Sequence, residues 1–293
     1  MQLPRAPTAA GVCPNRPRLT QAQAPLTCEI VAVNEFGDTT PVSIPAERAL
    51  TVYVDKRELV TLMTLGAQPE LLVLGFLRNQ RLVQSAQDIE SITVDWDVGA
   101  AAVNTRQGIA DIEQKTAKRV VTTGCGQGSV FGDLMANVDR IELPDATLTQ
   151  SQLYGIVNAI RLKESTYKSA GSVHACALFQ GEELLLFVED VGRHNAIDTI
   201  AGWMWMQDQM PSADKIFYTT GRLTSEMVIK SAQMGVPIVV SRSGITQMGQ
   251  SVAQSLGLCA IGRATNRHFL CYSGAVRLIL QPDQAPPRPL ART

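Results

Sequence analysis

Apolar and polar residues alternate over short runs in the first half of the chain, and the period lengthens in the second half. Residues 28–34, 49–55 and 58–63 read as strands, with the last two joined as a hairpin across Asp55-Lys56. Residues 68–79 change period. Pro69 stands where a helix begins, and Leu71, Leu72, Leu74 and Leu77 form an amphipathic stripe behind it. Residues 88–95 and 98–105 return to a strand pattern, and a polar stretch follows. Beyond it, 148–163 is a helix with Thr149 or Ser151 as its N-cap. Residues 174–179 and 183–188 form two strands around the Gln180-Gly181 turn. A helix at 195–207, a strand at 215–219 and a helix at 224–234 come next, then a strand at 236–241 behind Gly235 as helix C-cap. A helix at 246–256 and strands at 258–262 and 268–272 complete the series. Strands separated by helices of about a dozen residues imply βαβ crossovers and a mainly parallel or mixed sheet. The expected fold class is α/β, preceded by a smaller sheet-rich unit.

Composition narrows the setting. The chain has 293 residues, 45% of them hydrophobic and 18% charged, with a net charge of −1, which describes an ordinary globular protein with a sizeable core. No basic excess points to nucleic acid, and no apolar run is long enough to span a membrane. Residues 1–26 are rich in proline, carry Arg5, Arg16 and Arg18, and lack both acidic groups and a continuous apolar segment. They read as a disordered tail rather than a secretory signal, and the proline-rich 281–293 reads the same way. Between the tails, 27–145 is expected to form the sheet-rich subdomain and 146–280 the α/β subdomain. Six cysteines without a Cys-x-x-Cys pair place the protein in a reducing cytoplasm. Cys259 and Cys271 lie in apolar strand-like stretches and read as packing residues.

The candidate chemistry starts at Cys125, mounted in Thr122-Thr123-Gly124-Cys125-Gly126-Gln127-Gly128-Ser129. Its glycine neighbours pack nothing and leave the backbone free to bring the sulfur close to a partner. Lys115, Lys118 and Arg119 would lower its pKa if they fold back towards the loop. The alternative is a tight turn carrying an inert thiol. Downstream, Glu189-Asp190-Val191-Gly192-Arg193-His194-Asn195 joins the end of a strand to the start of a helix. That junction is where open α/β sheets collect ligands and where helix N–H groups meet anions. Thr219 to Glu226 and Ser241-Arg242-Ser243-Gly244 repeat the pattern on later strands. Such polar junctions form either a site or a satisfied hydrogen-bond network, and Thr224 alternatively caps its helix. Together Arg193, Arg222 and Arg242 suggest a rim suited to phosphate or pyrophosphate. His174, His194 and His268 are far apart, and no metal site is expected.

These segments together resemble the FdhD family of sulfur carrier proteins. The likeness is carried by Gly75-Phe76-Leu77, Asp88-Ile89-Glu90-Ser91-Ile92, Gly124-Cys125-Gly126 and Gly171-Ser172-Val173-His174-Ala175-Cys176-Ala177-Leu178. It continues through Glu189 to Ala196, Gly221 to Val228 and Val236 to Ser243. The resemblance implies a cytidine-deaminase-like mixed sheet with flanking helices, in a homodimer without the deaminase zinc. It implies that Cys125 takes sulfur as a persulfide from a cysteine desulfurase. That sulfur would pass to the bis-molybdopterin guanine dinucleotide cofactor, transiently bound, before insertion into formate dehydrogenase. It places cofactor binding at Arg263, Ala264, Thr265, Asn266, Arg267 and His268. The chain departs from the family where Gly128 replaces a second loop cysteine, which excludes a two-cysteine relay there; one thiolate suffices to carry a persulfide. It also departs at Arg263 and Thr265, where the family has an aromatic residue and an arginine, and at Gln80-Arg81. Two other functions are weighed against sulfur transfer. One is a non-catalytic chaperone for the molybdenum cofactor. The other is a nucleoside deaminase, which the absence of a Pro-Cys-x-x-Cys ligand pair opposes.

Overall fold

The computed structural model of the protein describes residues 16–109, 112, 140–207 and 214–287. Cys125 with its glycines, and Lys115, Lys118 and Arg119, lie outside the described residues.

The first sheet grows from alternation. Strand β1 (Arg18–Leu19) is followed by a separate hairpin, β2 (Thr27–Val33) and β3 (Thr39–Pro45), and then by β4 (Arg48–Val54) and β5 (Arg57–Thr64). Helix α1 (Pro69–Asn79), β6 (Ile89–Asp95) and β7 (Ala100–Thr105) complete this half, and the sheet order is β1-β6-β7-β4-β5. Leu50, Val52 and Val54 of β4 are buried on one face, as a period of two requires. The expected hairpin across Asp55-Lys56 forms, and both turn residues take positive φ (47° and 72°), the geometry that matches strand twist. Pro69 occupies the first turn of α1, where no N–H is needed.

One expectation fails in this half, and one strand carries no readable pattern. The segment expected as a loose tail carries β1, whose Arg18 and Leu19 pair in parallel with Ser91 and Ile92. Thr20 Oγ1 and the Ala22 N–H both donate to Glu70 Oε1 (2.6 and 2.7 Å), pinning the segment to the first turn of α1. β3 is a strand although Pro41 and Pro45 obscure its pattern; it belongs to a two-stranded ribbon, where an edge tolerates proline.

The second half contains β8 (Leu148–Thr149), α2 (Gln150–Leu162), α3 (Thr166–Ala170), β9 (His174–Gln180) and β10 (Glu183–Asp190). Then come α4 (Arg193–Met206), β11 (Lys215–Thr219), α5 (Ser225–Gln233), β12 (Ile238–Ser241) and α6 (Gln247–Ser255). The last strands are β13 (Cys259–Thr265), β14 (His268–Ser273) and β15 (Leu278–Ile279). Six of these strands form a sheet in the order β10-β9-β11-β12-β13-β14. β11, β12 and β13 run parallel and the outer strands antiparallel, which is the mixed sheet expected. Thr149 caps α2 in a reciprocal box with Gln152, and Gly235 ends α5 at φ +72°. The C-terminal segment, also expected as a tail, docks at its start: the Gln281 N–H donates to Gln150 Oε1 at 2.9 Å.

Coverage of the sheet is unequal. One face packs Ile197 and Ile200 of α4, Met227 and Val228 of α5, and Val252 of α6. The other is covered by α2, through Leu153, Ile156 and Val157. The two halves meet where α1 crosses α4. A Cβ on Gly75 would fall on the Asp198 carbonyl, and one on Gly202 would fall on the Leu71 carbonyl, so both glycines permit the close approach. Under this crossing lies a buried polar set. Lys230 Nζ is 2.9 Å from Asp198 Oδ2 with both side chains fully buried, and Asn79 Nδ2 donates to Asp198 Oδ1 at 2.6 Å.

Candidate functional site

A cavity of about 320 Å³ opens on the α2 face, at the carboxyl ends of β10, β11 and β12. Its size falls in the range of small-ligand sites, and its place is where open α/β sheets bind ligands. Val157 and Ile160 of α2, Phe187 of β10 and Tyr218 of β11 make apolar and aromatic walls. Arg161, Lys168 and Arg242 stand around them, with Thr220, Thr265 and Asn266 as neutral polar groups. The one carboxylate in the lining, Glu189, is already engaged: it accepts from the N–H groups of Thr166 (2.6 Å) and Tyr167 (3.0 Å), anchoring the start of α3. The rim is therefore cationic. Burial pushes the Tyr218 hydroxyl up to about 12 despite the opposing charge of Arg242, so it stays protonated and available as a donor. Flat aromatic walls under a cationic rim suit a planar ring carrying anionic groups.

The expected cofactor segment is only partly brought to this cavity. Ala264, Thr265 and Asn266 line it, while Arg263, Arg267 and His268 are exposed outside the lining. The chain doubles back here: β13 pairs with β14 through Thr265 and His268, and Arg263 and Asn266 both take φ +52°. Arg267 instead lies over the Tyr154 ring, 5.8 Å from its centroid. Nor do the three strand-end arginines meet in one pocket. Arg242 lines the cavity, but Arg193 and Arg222 do not.

Arg193 and Arg222 gather on the other face. The Thr220 N–H donates to the Ala175 carbonyl (2.9 Å) and Ala175 N–H to Thr220 Oγ1 (3.0 Å), which sets the start of β9 beside the end of β11. His174 is registered opposite Asp190, and a Cβ on Gly221 would come within 2.7 Å of Arg193 Cδ. Burial first, then Arg193 and Arg222, hold the His174 imidazole below its usual 6.5.

Other residues singled out in the sequence are structural. Asp190 accepts from Thr64 Oγ1, the N–H groups of Leu65 (3.1 Å) and Gly192 (3.0 Å), and Asn195 Nδ2 (2.8 Å), tying β5 to the β10–α4 junction. Burial raises its pKa against these hydrogen bonds. His194 Nδ1 faces Glu226 Oε1 at 3.6 Å inside the buried set that includes Lys230. Cys176 is fully buried, its thiol pushed up to about 12 by desolvation. Cys259 is buried too, but Cys271 is half-buried, and a hydrogen bond from Cys259 lowers its thiol to about 7. Sequence reasoning missed Phe187, Tyr218, Arg161 and Lys168. The first two look like strand core, and cations near helix ends look like solvated surface; α3 itself has no local signal long enough to read.

The residues and their arrangement define an α/β protein with a ligand cavity, and comparison places it in a family. The FdhD/NarQ family matches residues 45–279, and the chain belongs to that family. A sulfur carrier protein FdhD from Staphylococcus aureus (strain MRSA252) is 30% identical over 236 residues, covering 80% of this chain and 88% of the relative. One from Halalkalibacterium halodurans is 29% identical over 239 residues, with the same coverages of 80% and 88%. The fold matches a crystal structure of a formate dehydrogenase accessory protein from Desulfotalea psychrophila at a TM-score of 0.70. That match has 22% identity and covers 87% of this chain and all of the other.

Proposed function

We propose that this protein is a sulfur carrier serving formate dehydrogenase, and that the cavity holds the guanosine diphosphate end of its substrate, bis-molybdopterin guanine dinucleotide. The observation carrying this reading is the cavity itself, with aromatic walls for a purine and Arg161, Lys168 and Arg242 for a diphosphate, beside Thr265 and Asn266 of the expected segment. Family membership and the names of the bacterial relatives support sulfur transfer, and the description of the Desulfotalea protein agrees with the client enzyme. The Cys125 thiolate attacks the terminal sulfur of a persulfide on a cysteine desulfurase. The sulfur–sulfur bond there breaks, the desulfurase cysteine leaves as thiolate, and Cys125 carries the persulfide. In passing that sulfur to the cofactor the sulfur–sulfur bond on Cys125 breaks, Cys125 leaves as thiolate, and the metal centre of the cofactor supplies the two electrons that bring the sulfur to the sulfide level. In the same reading the second sheet is cytidine-deaminase-like and the protein works as a cytoplasmic homodimer. No helix among the described residues is long and apolar enough to cross a membrane.

Intact mass after incubation with a cysteine desulfurase and free cysteine tests the thiol step: a gain of about 32 Da, one sulfur, should appear and map to Cys125. Cys125→Ala should fold but fail to activate formate dehydrogenase in cells lacking the wild-type gene. Full activation by this variant would replace the carrier reading with that of a cofactor-binding chaperone.

A further inference from the structure

We propose that the N-terminal end of α4 is a second anion site, on the face of the sheet opposite the cavity, where Arg193, Arg222 and His174 take a phosphate group. The site does not depend on the sulfur-carrier reading. Its centre is Arg193, the first residue of α4, which is 5% exposed and whose Nε has no hydrogen-bond partner. Arg193 forms no ion pair among the described residues. A buried guanidinium without a counter-charge is costly, and a bound anion relieves that cost. The nearby carboxylate of Asp190, which ties β5 to the β10–α4 junction, is occupied by Thr64, Leu65, Gly192 and Asn195.

Three further observations converge on the same spot. Gly192 caps α4 without a side-chain hydrogen bond and no acidic residue stands in the first turn; the carboxylate at the helix start, Asp190, is already spent on Thr64, Leu65, Gly192 and Asn195, and Glu226 faces His194. Gly221 leaves the space through which the Arg193 side chain runs, and the next residue, Arg222, is exposed and gives access from solvent. His174 sits between these elements, because β9 pairs with β10 on one side and meets the end of β11 on the other. Two guanidinium groups, an imidazole and a helix N-terminus match a tetrahedral oxyanion, which accepts several charge-assisted hydrogen bonds at once. The source of the phosphate is either the free ion or a phosphate within a larger ligand.

The His174 imidazole reports occupancy, since an anion beside it favours the protonated form. Its titration, followed by NMR on the full chain, should shift upward and saturate as inorganic phosphate is added. The shift should persist in Arg242→Ala, which alters the cavity, and vanish in Arg222→Ala, whose exposed position makes misfolding no concern. If phosphate has no effect but GDP shifts the titration in wild type and not in Arg222→Ala, the site takes a phosphate carried by a larger ligand. No shift with either ligand, or an equal shift in Arg222→Ala, overturns the proposal.

Discussion

The two faces of the six-stranded sheet use their charged residues in opposite ways. Under α4, α5 and α6, the charges are closed on one another: Lys230 with Asp198, Asp198 with Asn79, His194 with Glu226. Under α2, Arg161 and Arg242 stand around open space with Lys168, which also meets Glu164 at 3.3 Å, and the single lining carboxylate is spent on backbone N–H groups. Coverage explains the difference. Three helices shut out water, so the charges beneath them pair with one another, Arg193 at the start of α4 excepted, whereas one helix leaves room for a ligand to complete the set. Even adjacent residues divide between the two roles: Glu189 lines the cavity, and Asp190 ties strands together.

The largest expected effect breaks the closed face. Lys230→Met leaves the Asp198 charge buried without its partner and should cost about 3–5 kcal/mol in urea unfolding. Replacing Asp198 by Leu in the same chain should recover much of that loss, because removing both charges is far cheaper than removing one. A loss below about 1 kcal/mol would mean that this pair behaves as an exposed one and the contrast between the faces is false.

A middle-sized effect sharpens the open face. One charge-assisted arginine–phosphate bond contributes about 1.5–3 kcal/mol when shielded, and Arg242 is exposed, so Arg242→Ala should weaken GDP binding by on the order of tenfold. Arg263→Ala should leave it unchanged, since Arg263 lies outside the cavity lining. Titration calorimetry decides between them, and equal affinity in wild type and Arg242→Ala would put the nucleotide elsewhere.

The smallest effect compares thiols on the two faces. Cys271, lowered to about 7 by its hydrogen bond from Cys259, gains thiolate as pH rises through that value. Its alkylation by iodoacetamide, read peptide by peptide, should inflect there, while Cys176, pushed up to about 12 and fully buried, stays unreacted. Cys259→Ala should move the Cys271 inflection upward. An unmoved inflection would show that the neighbouring thiol is not the cause.

Much of the fold was legible because its signals are local. The β4–β5 turn at Asp55-Lys56, the proline start of α1, the Thr149 cap of α2 and the Gly235 end of α5 each depend on a few adjacent residues. The mixed second sheet followed from alternating strand and helix periods. What escaped was long-range: β1 exists only because Ser91 and Ile92 receive it, and β3 only because β2 pairs with it. The candidate site divides in the same way. Sequence alone singled out Cys125, the strand-end arginines and residues 263–268 as chemistry-bearing. Only tertiary structure decided that Arg242, Thr265 and Asn266 share a cavity with Phe187, Tyr218, Arg161 and Lys168, and that Arg193 and Arg222 lie apart from it. The physical reason is that periodicity records which way a side chain leaves its own strand, whereas a cavity arises from how far α2, α3 and the β13–β14 turn stand from the sheet, a distance set by packing between residues remote in the chain.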